Sequence, residues 1–223
     1  MNRKKTRGKC YFCNASYTRM GMRKHLIKCE KRARSPLSSQ RSKKDLLLLE
    51  IYGGYKGSHW LFVELSTTST LNDLDIYLRG IWLECCGHLS RFIINGSSYG
   101  SDYTEDYCQY KMKKKLKDVI NPGLEFYHEY DFGSTTNLTL FVVDKRSGVL
   151  ETQKLTQIAR NEPPEFRCNI CGINEATTIC MNCLWNDQGG FLCNKCLATH
   201  QCDEDMYLSV VNSPRMGVCG YTG

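Results

Sequence analysis

The sequence predicts an α+β fold, in which a central domain of strands with one long helix is flanked by two small cysteine-rich modules. Three observations lead to this prediction. Short apolar runs separated by turn residues fill the middle of the chain, one stretch there has helical spacing, and C-x-x-C pairs occur at the two ends only. A chain of 223 residues that is 41% hydrophobic and 24% charged is typical of a globular protein.

Three units and two connectors divide the chain. A basic unit covers residues 1–34, a central domain covers 46–160, and a cysteine-rich unit covers 168–223. Residues 35–45 have the polar, turn-forming composition of a linker, and residues 161–167 include tandem prolines that favour an extended connector. The longest aliphatic run is far shorter than the roughly 18 residues of a membrane span, and no secretory signal is visible. We therefore expect a cytoplasmic chain without a membrane partner.

Apolar runs bounded by turn residues predict the strands of the central domain. In chain order these strands are Leu46–Tyr52, Trp60–Leu65, Leu89–Ile94, Glu125–Asp131, Asn137–Val143 and Val149–Leu155. After the second strand, Thr70 and Asp73 have the spacing of a helix-capping box, and the apolar residues that follow predict the long helix over residues 71–84. Residues 111–120 predict a short basic helix that stops before a proline.

The central domain also carries short motifs that match a known family. These motifs are Leu71-x-x-Leu74, His88-Leu89-Ser90-x-Phe92, Tyr99 and Tyr130-Asp131-Phe132-Gly133, followed by an alternating strand. With them, residues 46–155 resemble the plasmid-borne ORF-three-like family, which is also catalogued as insertion-element passenger proteins and named for a resolvase. The resemblance implies a small α+β domain without an established activity. The sequence shows no arginine-flanked serine near its N-terminus that would support resolvase chemistry.

The N-terminal unit contains a metal-ligand pattern, Cys10-x2-Cys13-x11-His25-x3-Cys29. In a reducing compartment, cysteine pairs at this spacing are more often metal ligands than disulfides. His25 and Cys29 are four residues apart, so they fall on one helical face and can point at the same ion. Three thiolates and one imidazole form the closed tetrahedral shell of structural Zn²⁺. The unit is therefore predicted to be a basic zinc finger.

Positive charge is concentrated in the same unit. Residues 1–44 contain 15 Lys and Arg against one acid, a net charge of +14, while the rest of the chain has 15 against 22, a net charge of −7. This imbalance favours an anionic partner, first of all nucleic acid bound through phosphate contacts with low sequence specificity. A solvated basic face and a protein-docking finger are the alternatives. The residues expected to contact nucleic acid are Arg19, Arg23, Lys24, Lys28 and Arg32.

The C-terminal unit has eight potential ligands, enough for two four-coordinate sites. The presence of an imidazole among thiolates favours zinc over an iron–sulfur cluster, so the whole chain is predicted to bind three Zn²⁺. The first and third C-x-x-C pairs share one ion if the sites interleave, but the spacing leaves the pairing open. The unit is similar to MYND and B-box fingers, a resemblance that implies docking of a protein partner. The ligands are Cys168, Cys171, Cys180, Cys183, Cys193, Cys196, His200 and Cys202.

The remaining cysteines are not assigned to a metal. Cys85 and Cys86 close the predicted helix, where burial in the core is the favoured interpretation because cysteine is among the most buried residue types. The sequence best predicts a non-enzymatic zinc-binding adaptor with a nucleic-acid-binding finger and a protein-interaction module. An enzyme with a site in the central domain is the rival hypothesis, with Cys86, His88 and Asp131 as its residues. A structural subunit of a larger complex is a third hypothesis. The unassigned cysteines are Cys85, Cys86, Cys108 and Cys219.

Overall fold

The structure, a computed structural model, describes residues 5–34, 43–101, 107–150 and 154–223. Its architecture is α+β, with a mixed sheet of ten strands and a smaller sheet of three. Across the large sheet the order is β2-β1-β10-β4-β3-β9-β8-β5-β6-β7, and β6–β7 is the parallel pair. The strands are β1 (Arg7–Cys10), β2 (Ser16–Thr18), β3 (Lys44–Gly53), β4 (His59–Ser66), β5 (Ser90–Ile94), β6 (Ser97–Gly100), β7 (Tyr110–Lys111), β8 (Glu125–Tyr130), β9 (Thr136–Gly148) and β10 (Leu155–Asn161).

The helices are short. The predicted long helix is α3, which has eight α-helical residues and five more in a π-helical segment, Arg79–Leu83. It begins with the predicted capping box, in which the Thr70 hydroxyl accepts from the Asp73 amide at 3.2 Å and the Asp73 carboxylate accepts from the Thr70 amide at 2.9 Å. The helices are α1 (Arg19–Lys28), α2 (Glu30–Ala33), α3 (Leu71–Leu78), α4 (Met181–Trp185) and α5 (Asn194–Leu197).

One face of the large sheet packs against α3. Side chains alternate between the two faces along a strand, and Leu47, Leu49 and Ile51 of β3 all point to this side. They are buried in the main core together with Leu74 and Leu78 of α3. A sheet packed against a helix agrees with the α+β class that the sequence predicts.

The opposite face of the sheet packs against the finger helix, α1. Leu48, Trp60 and Phe62 on this side form a second buried cluster with Met22 and Leu26 of α1. The finger hairpin also continues the large sheet, because β1 pairs with β10. Since both faces of β3 are covered, its apolar residues form a continuous run rather than alternating with polar ones.

Residues 111–120, predicted as a short basic helix, contain instead the end of β7 and a 3₁₀ turn at Leu116–Asp118. Backbone hydrogen bonds to the segment before α3 keep residues 111–120 in a conformation that is not a regular α-helix. The Leu116 amide donates to the Ser69 carbonyl at 2.8 Å, and the Lys117 amide donates to the Thr67 carbonyl at 3.0 Å. Tertiary hydrogen bonding therefore overrides the helical spacing of the apolar residues.

The last strands of the central domain also differ from the prediction. β9 continues to Gly148 and so includes residues 144–148, which lie between the predicted strands Asn137–Val143 and Val149–Leu155. Residues 151–153 of the strand predicted at Val149–Leu155 lie outside the described part of the chain, and β10 begins at Leu155. β10 then ends at Asn161, the first residue of the predicted connector.

The C-terminal unit has a three-stranded sheet, after which the chain returns to the central domain. Ser213 Oγ donates to the Trp82 carbonyl at 2.6 Å, and the buried Arg215 donates to Asp131 Oδ2 at 2.7 Å. Among the described residues, no helix combines the length and the apolar character that crossing a membrane requires. The strands of the small sheet, in the order β12-β11-β13, are β11 (Thr178–Cys180), β12 (Phe191–Leu192) and β13 (Tyr207–Ser209).

Candidate metal centres

The finger tetrad is assembled from the hairpin and α1. Cys10 ends β1, Cys13 lies in the turn before β2, His25 lies in the last turn of α1, and Cys29 follows that helix. Their ligand atoms all lie within 4.8 Å of one another. Cys13 Sγ is 3.2 Å from His25 Nε2, and Tyr17 stacks on the imidazole with the ring centroids 4.4 Å apart. The structure thus brings the four predicted ligands of the finger to one point.

The two C-terminal tetrads are interleaved. The first and third C-x-x-C pairs form one tetrad, and the second pair forms the other with the last His and Cys of the pattern. In each tetrad the ligand atoms lie within 4.8 Å of one another. Of the pairings that the spacing left open, the structure therefore has the one that ties the whole segment together. The first C-terminal tetrad is Cys168, Cys171, Cys193 and Cys196, and the second is Cys180, Cys183, His200 and Cys202.

Distances within these tetrads fit Zn²⁺. Two sulfurs bound tetrahedrally at about 2.3 Å from zinc lie about 3.8 Å apart. The sulfurs of Cys171 and Cys193 are 4.0 Å apart, and those of Cys183 and Cys202 are 3.7 Å apart. The Asn182 side-chain amide donates to Cys202 Sγ at 3.4 Å, and such outer donors stabilise and orient metal-bound thiolates.

Backbone amides stabilise the thiolate form of one cysteine in the first C-terminal tetrad, which is the form that binds a cation. Burial raises the pKa of the Cys168 thiol, but hydrogen bonds from the amides of Cys171, Cys193 and Ile170 outweigh it and lower that pKa to about 6. In the same tetrad, burial and the neighbouring thiols raise the pKa of Cys196 to about 12. Thiols this close cannot all ionise without a cation between them, so the set fits a divalent metal.

A fourth tetrad, which the sequence analysis missed, lies beyond the end of α3. It consists of Cys85, Cys86, His88 and Cys219, whose ligand atoms also lie within 4.8 Å of one another. The described residues thus carry four Cys/His tetrads that could bind four zinc ions, one more than the three predicted. Cys86 is exposed, so core burial of the Cys85–Cys86 pair was the wrong interpretation for this residue.

The residues of the rival enzyme hypothesis lie at the same place. Cys86 and His88 belong to the fourth tetrad, and His88 Nδ1 is 3.6 Å from Asp131 Oδ1. Although burial opposes it, the hydrogen bond from Arg215 lowers the pKa of the Asp131 carboxyl. Asp131 is therefore an ionised carboxylate behind the imidazole, which is an orienting position in a metal site.

Three of the five residues predicted to contact nucleic acid form ion pairs within the chain. Arg19 Nη1 lies 3.4 Å from Glu50 Oε1, and Arg23 Nε donates to Glu50 Oε2. Arg32 Nε donates to Glu64 Oε1 at 2.9 Å. Both glutamates are buried in the large sheet, where an ionised carboxylate requires a paired cation. These three arginines hold the finger on the sheet.

The other two predicted contacts, Lys24 and Lys28, are exposed on α1. The arginines next to them are further fixed by aromatic rings. The Arg19 guanidinium lies 3.6 Å from the Tyr52 ring centroid, and the Arg23 guanidinium lies 4.2 Å from that of Phe141. Arg19, Arg23 and Arg32 are therefore paired within the chain, whereas Lys24 and Lys28 are open to solvent, and contact of the five residues with nucleic acid stays a prediction.

The comparisons with known proteins give a structural similarity only. Neither a family model nor a curated protein matches the sequence. Among solved structures, the chain is similar to the "Protein of Unknown Function MM3350 from Methanosarcina mazei Go1", at 18% sequence identity and a TM-score of 0.44. The match covers 52% of this chain and 68% of that one. The resemblance of residues 46–155 to the plasmid-borne ORF-three-like family stays a prediction. The described residues carry four Cys/His tetrads whose donor atoms fit zinc ions.

Proposed function

We propose that this protein is a zinc-dependent adaptor, in which metal tetrads shape both ends of the chain and the C-terminal unit binds a protein partner. The interleaved pair of C-terminal tetrads carries the proposal. The buried apolar cluster of this unit consists of Cys180, Cys183 and Leu192, too few side chains to stabilise it alone. Structural zinc contributes on the order of 10 kcal/mol of apparent folding free energy in small fingers, so the ions can substitute for a core.

Exposed apolar side chains support a partner surface on this unit. Ile173, in the loop after the first C-x-x-C pair, is 73% exposed, and Trp185, at the end of α4, is 69% exposed. Large apolar groups left in water on a small unit favour an interaction site.

The double variant Ile173→Ser/Trp185→Ser tests this surface. Chemical cross-linking in an extract of the source cells is expected to join the wild-type chain to a protein that the double variant captures at least tenfold less. Tyr127→Ser, which removes a 47%-exposed aromatic side chain from β8, is the matched control and should capture the same protein as the wild type. Capture that is equal for wild type and double variant would contradict the proposed surface.

Nucleic acid is a second candidate partner, favoured by the exposed lysines Lys24, Lys28 and Lys31 around the finger helix. Contacts of this kind attract phosphates without reading bases, so they are strongly salt-dependent. Point variants suit the test better than deletion of residues 1–44, because deletion would uncover the apolar sheet face under α1.

Fluorescence anisotropy with a mixed-sequence duplex, repeated over a range of salt, measures this binding. Lys24→Gln/Lys28→Gln should reduce the slope of log affinity against log salt by about two, because each lysine that is replaced leaves one phosphate without its protein cation. Lys117→Gln, which replaces an exposed lysine of the central domain, is the control and should leave the slope unchanged. An unchanged slope in the double variant would rule out Lys24 and Lys28 as phosphate-binding residues.

A further inference from the structure

The fourth tetrad joins two segments that are far apart in the chain. Cys85, Cys86 and His88 follow the π-helical end of α3, and Cys219 lies in the C-terminal tail, 131 residues after His88. His88 Nε2 is 3.3 Å from Cys219 Sγ, while the matching sulfur–imidazole distances are 3.2 Å in the finger and 3.4 Å in the second C-terminal tetrad. The fourth tetrad therefore has the same donors, three thiols and one imidazole, and nearly the same sulfur–imidazole distance as the other His-containing tetrads.

A held carboxylate lies behind the imidazole of this tetrad, with Asp131 Oδ1 3.6 Å from His88 Nδ1. With His88 Nδ1 facing Asp131, the other ring nitrogen is left to face the thiols. Asp131 is fixed in turn, because it accepts from Arg215 Nη2 at 2.7 Å and from the Gly133 amide at 3.1 Å. A carboxylate behind a ligating histidine is the common outer shell of protein zinc sites, where it sets the tautomer and the ring orientation.

The backbone around Cys219 takes an uncommon conformation. Cys219 itself has φ of +50°, between Gly217 at +77° and Gly220 at +65°. Cysteine rarely adopts positive φ, and such a residue persists only where its surroundings fix it. This turn brings Cys219 Sγ to His88, so ligation of a shared ion accounts for a conformation that otherwise costs free energy.

The tail that carries Cys219 already lies against the central domain. Ser213 is bonded to the Trp82 carbonyl at the end of α3, and Arg215 donates to Thr136 Oγ1 at 3.0 Å besides its pair with Asp131. Beyond Cys219, Tyr221 is buried. An ion in the tetrad would therefore close the far end of an existing contact between tail and domain.

We infer that Cys85, Cys86, His88 and Cys219 form a fourth zinc site, which fastens the C-terminal tail to the end of α3 and releases its ion before the other three sites. The order of release follows from exposure. Cys86 and Cys219 are exposed, whereas every ligand of the other three tetrads is buried or half-buried. Exposed sulfurs are the first that a chelator or a competing thiol can reach. The inference does not depend on the protein partner proposed above.

Native mass spectrometry of the full chain, purified with zinc and a phosphine reductant, tests the site. Wild type should carry four zinc ions, and Cys219→Ser and Cys86→Ser should each carry three. Cys108→Ser is the matched control, because Cys108 belongs to no tetrad of the described residues, and it should carry four. A wild type with three ions, or variants that keep four, would overturn the inference. A disulfide joining Cys219 to Cys85 or Cys86 in the non-reduced protein, with three ions after reduction, would overturn it as well.

Stepwise removal of zinc tests the role of the ion and its order of release. As a water-soluble chelator is added, the first species to form should have three ions, with hydrogen-exchange protection lost at residues 216–221 and kept at 168–209. Cys219→Ser, with three ions from the start, should show the same pattern before any chelator is added. The inference would be contradicted if an ion of the finger or of the C-terminal unit were lost first. Full protection of the tail in the three-ion species would also contradict it.

Discussion

Replacing Arg32 by glutamine distinguishes two roles of this residue, stabilisation of the fold through an internal ion pair and binding of an external anion. Arg32 is 3% exposed, and its guanidinium contacts Glu64, the Leu26 carbonyl and, at 3.5 Å, Asp144 Oδ2. Nε donates to Glu64 Oε1 at 2.9 Å, Nη2 lies 2.8 Å from the same oxygen, and Nη1 donates to the Leu26 carbonyl at 2.8 Å. Glutamine at this position keeps a polar side chain but removes the charge and the fork of donors.

The expected cost follows from what remains after the substitution. Removing one partner of a buried ion pair costs about 3–5 kcal/mol, because the other charge is left unpaired. Here Glu64 keeps two contacts with Arg146, at 2.6 Å from both Nε and Nη2, so the lower end of the range, about 3 kcal/mol, applies. For a domain of 150–250 residues this corresponds to a drop in Tm of about 6–12 °C.

Thermal unfolding followed by circular dichroism, with zinc and a reductant present, measures this cost. Lys28→Gln is the matched control, since Lys28 is exposed at the end of the preceding helix, α1, and its loss should change stability by less than about 0.5 kcal/mol. If Arg32→Gln unfolds at the wild-type temperature and instead loses affinity for a duplex, Arg32 is a nucleic-acid contact and the reasoning from burial is refuted.

Two further predictions concern the C-terminal unit and the dependence on pH. Cys183→Ser removes one ligand of the second C-terminal tetrad, so the chain should lose one zinc and become open to proteolysis within residues 168–209. Cys108→Ser, the control, should keep its zinc and its resistance to proteolysis. A Cys183→Ser unit that resists proteolysis would contradict the prediction. Burial, with the charge of Arg160 nearby, lowers the pKa of His59 to about 4, well below the value near 6.5 in the unfolded chain. The folded state therefore binds fewer protons between these values, and stability should fall by about 3 kcal/mol as the pH drops from 6.5 to 4. Chemical denaturation of wild type and His59→Gln at each pH isolates this contribution, and the same pH dependence in both proteins would contradict it.

Much of the central domain follows from local sequence. Four of its strands and α3 agree with the prediction to within a few residues, because turn residues and a capping box mark their ends. The docking of the finger did not follow, although two signals pointed to it. The unbroken run Leu46–Leu49 indicates a strand covered on both faces, and Glu50 and Glu64 sit within apolar strands where only a paired cation stabilises them. Neither signal identifies the element that covers the sheet. A buried glutamate in the sequence predicts a paired cation but does not show which arginine forms the pair.

The metal tetrads divide in the same way. The ligands of the finger and the C-terminal unit lie close together in the sequence and have the spacing of knuckles, so they could be recognised one motif at a time. The fourth tetrad takes Cys219 from a segment 131 residues beyond His88, and only the return of the tail to α3 brings them together. The adjacent Cys85-Cys86, with His88 two positions on, was the available local signal, but no fourth ligand could be assigned without the fold.

Hydrogen exchange of the full chain before and after removal of all zinc tests most directly whether metal holds the two ends together. We expect chelation to remove protection from residues 7–29 and 168–209, while β3, β4, β8 and β9 of the central sheet keep their protection. Added zinc should restore the protection of residues 7–29 and 168–209. Ends that stay protected in the metal-free, reduced chain would show that their fold does not depend on the tetrads.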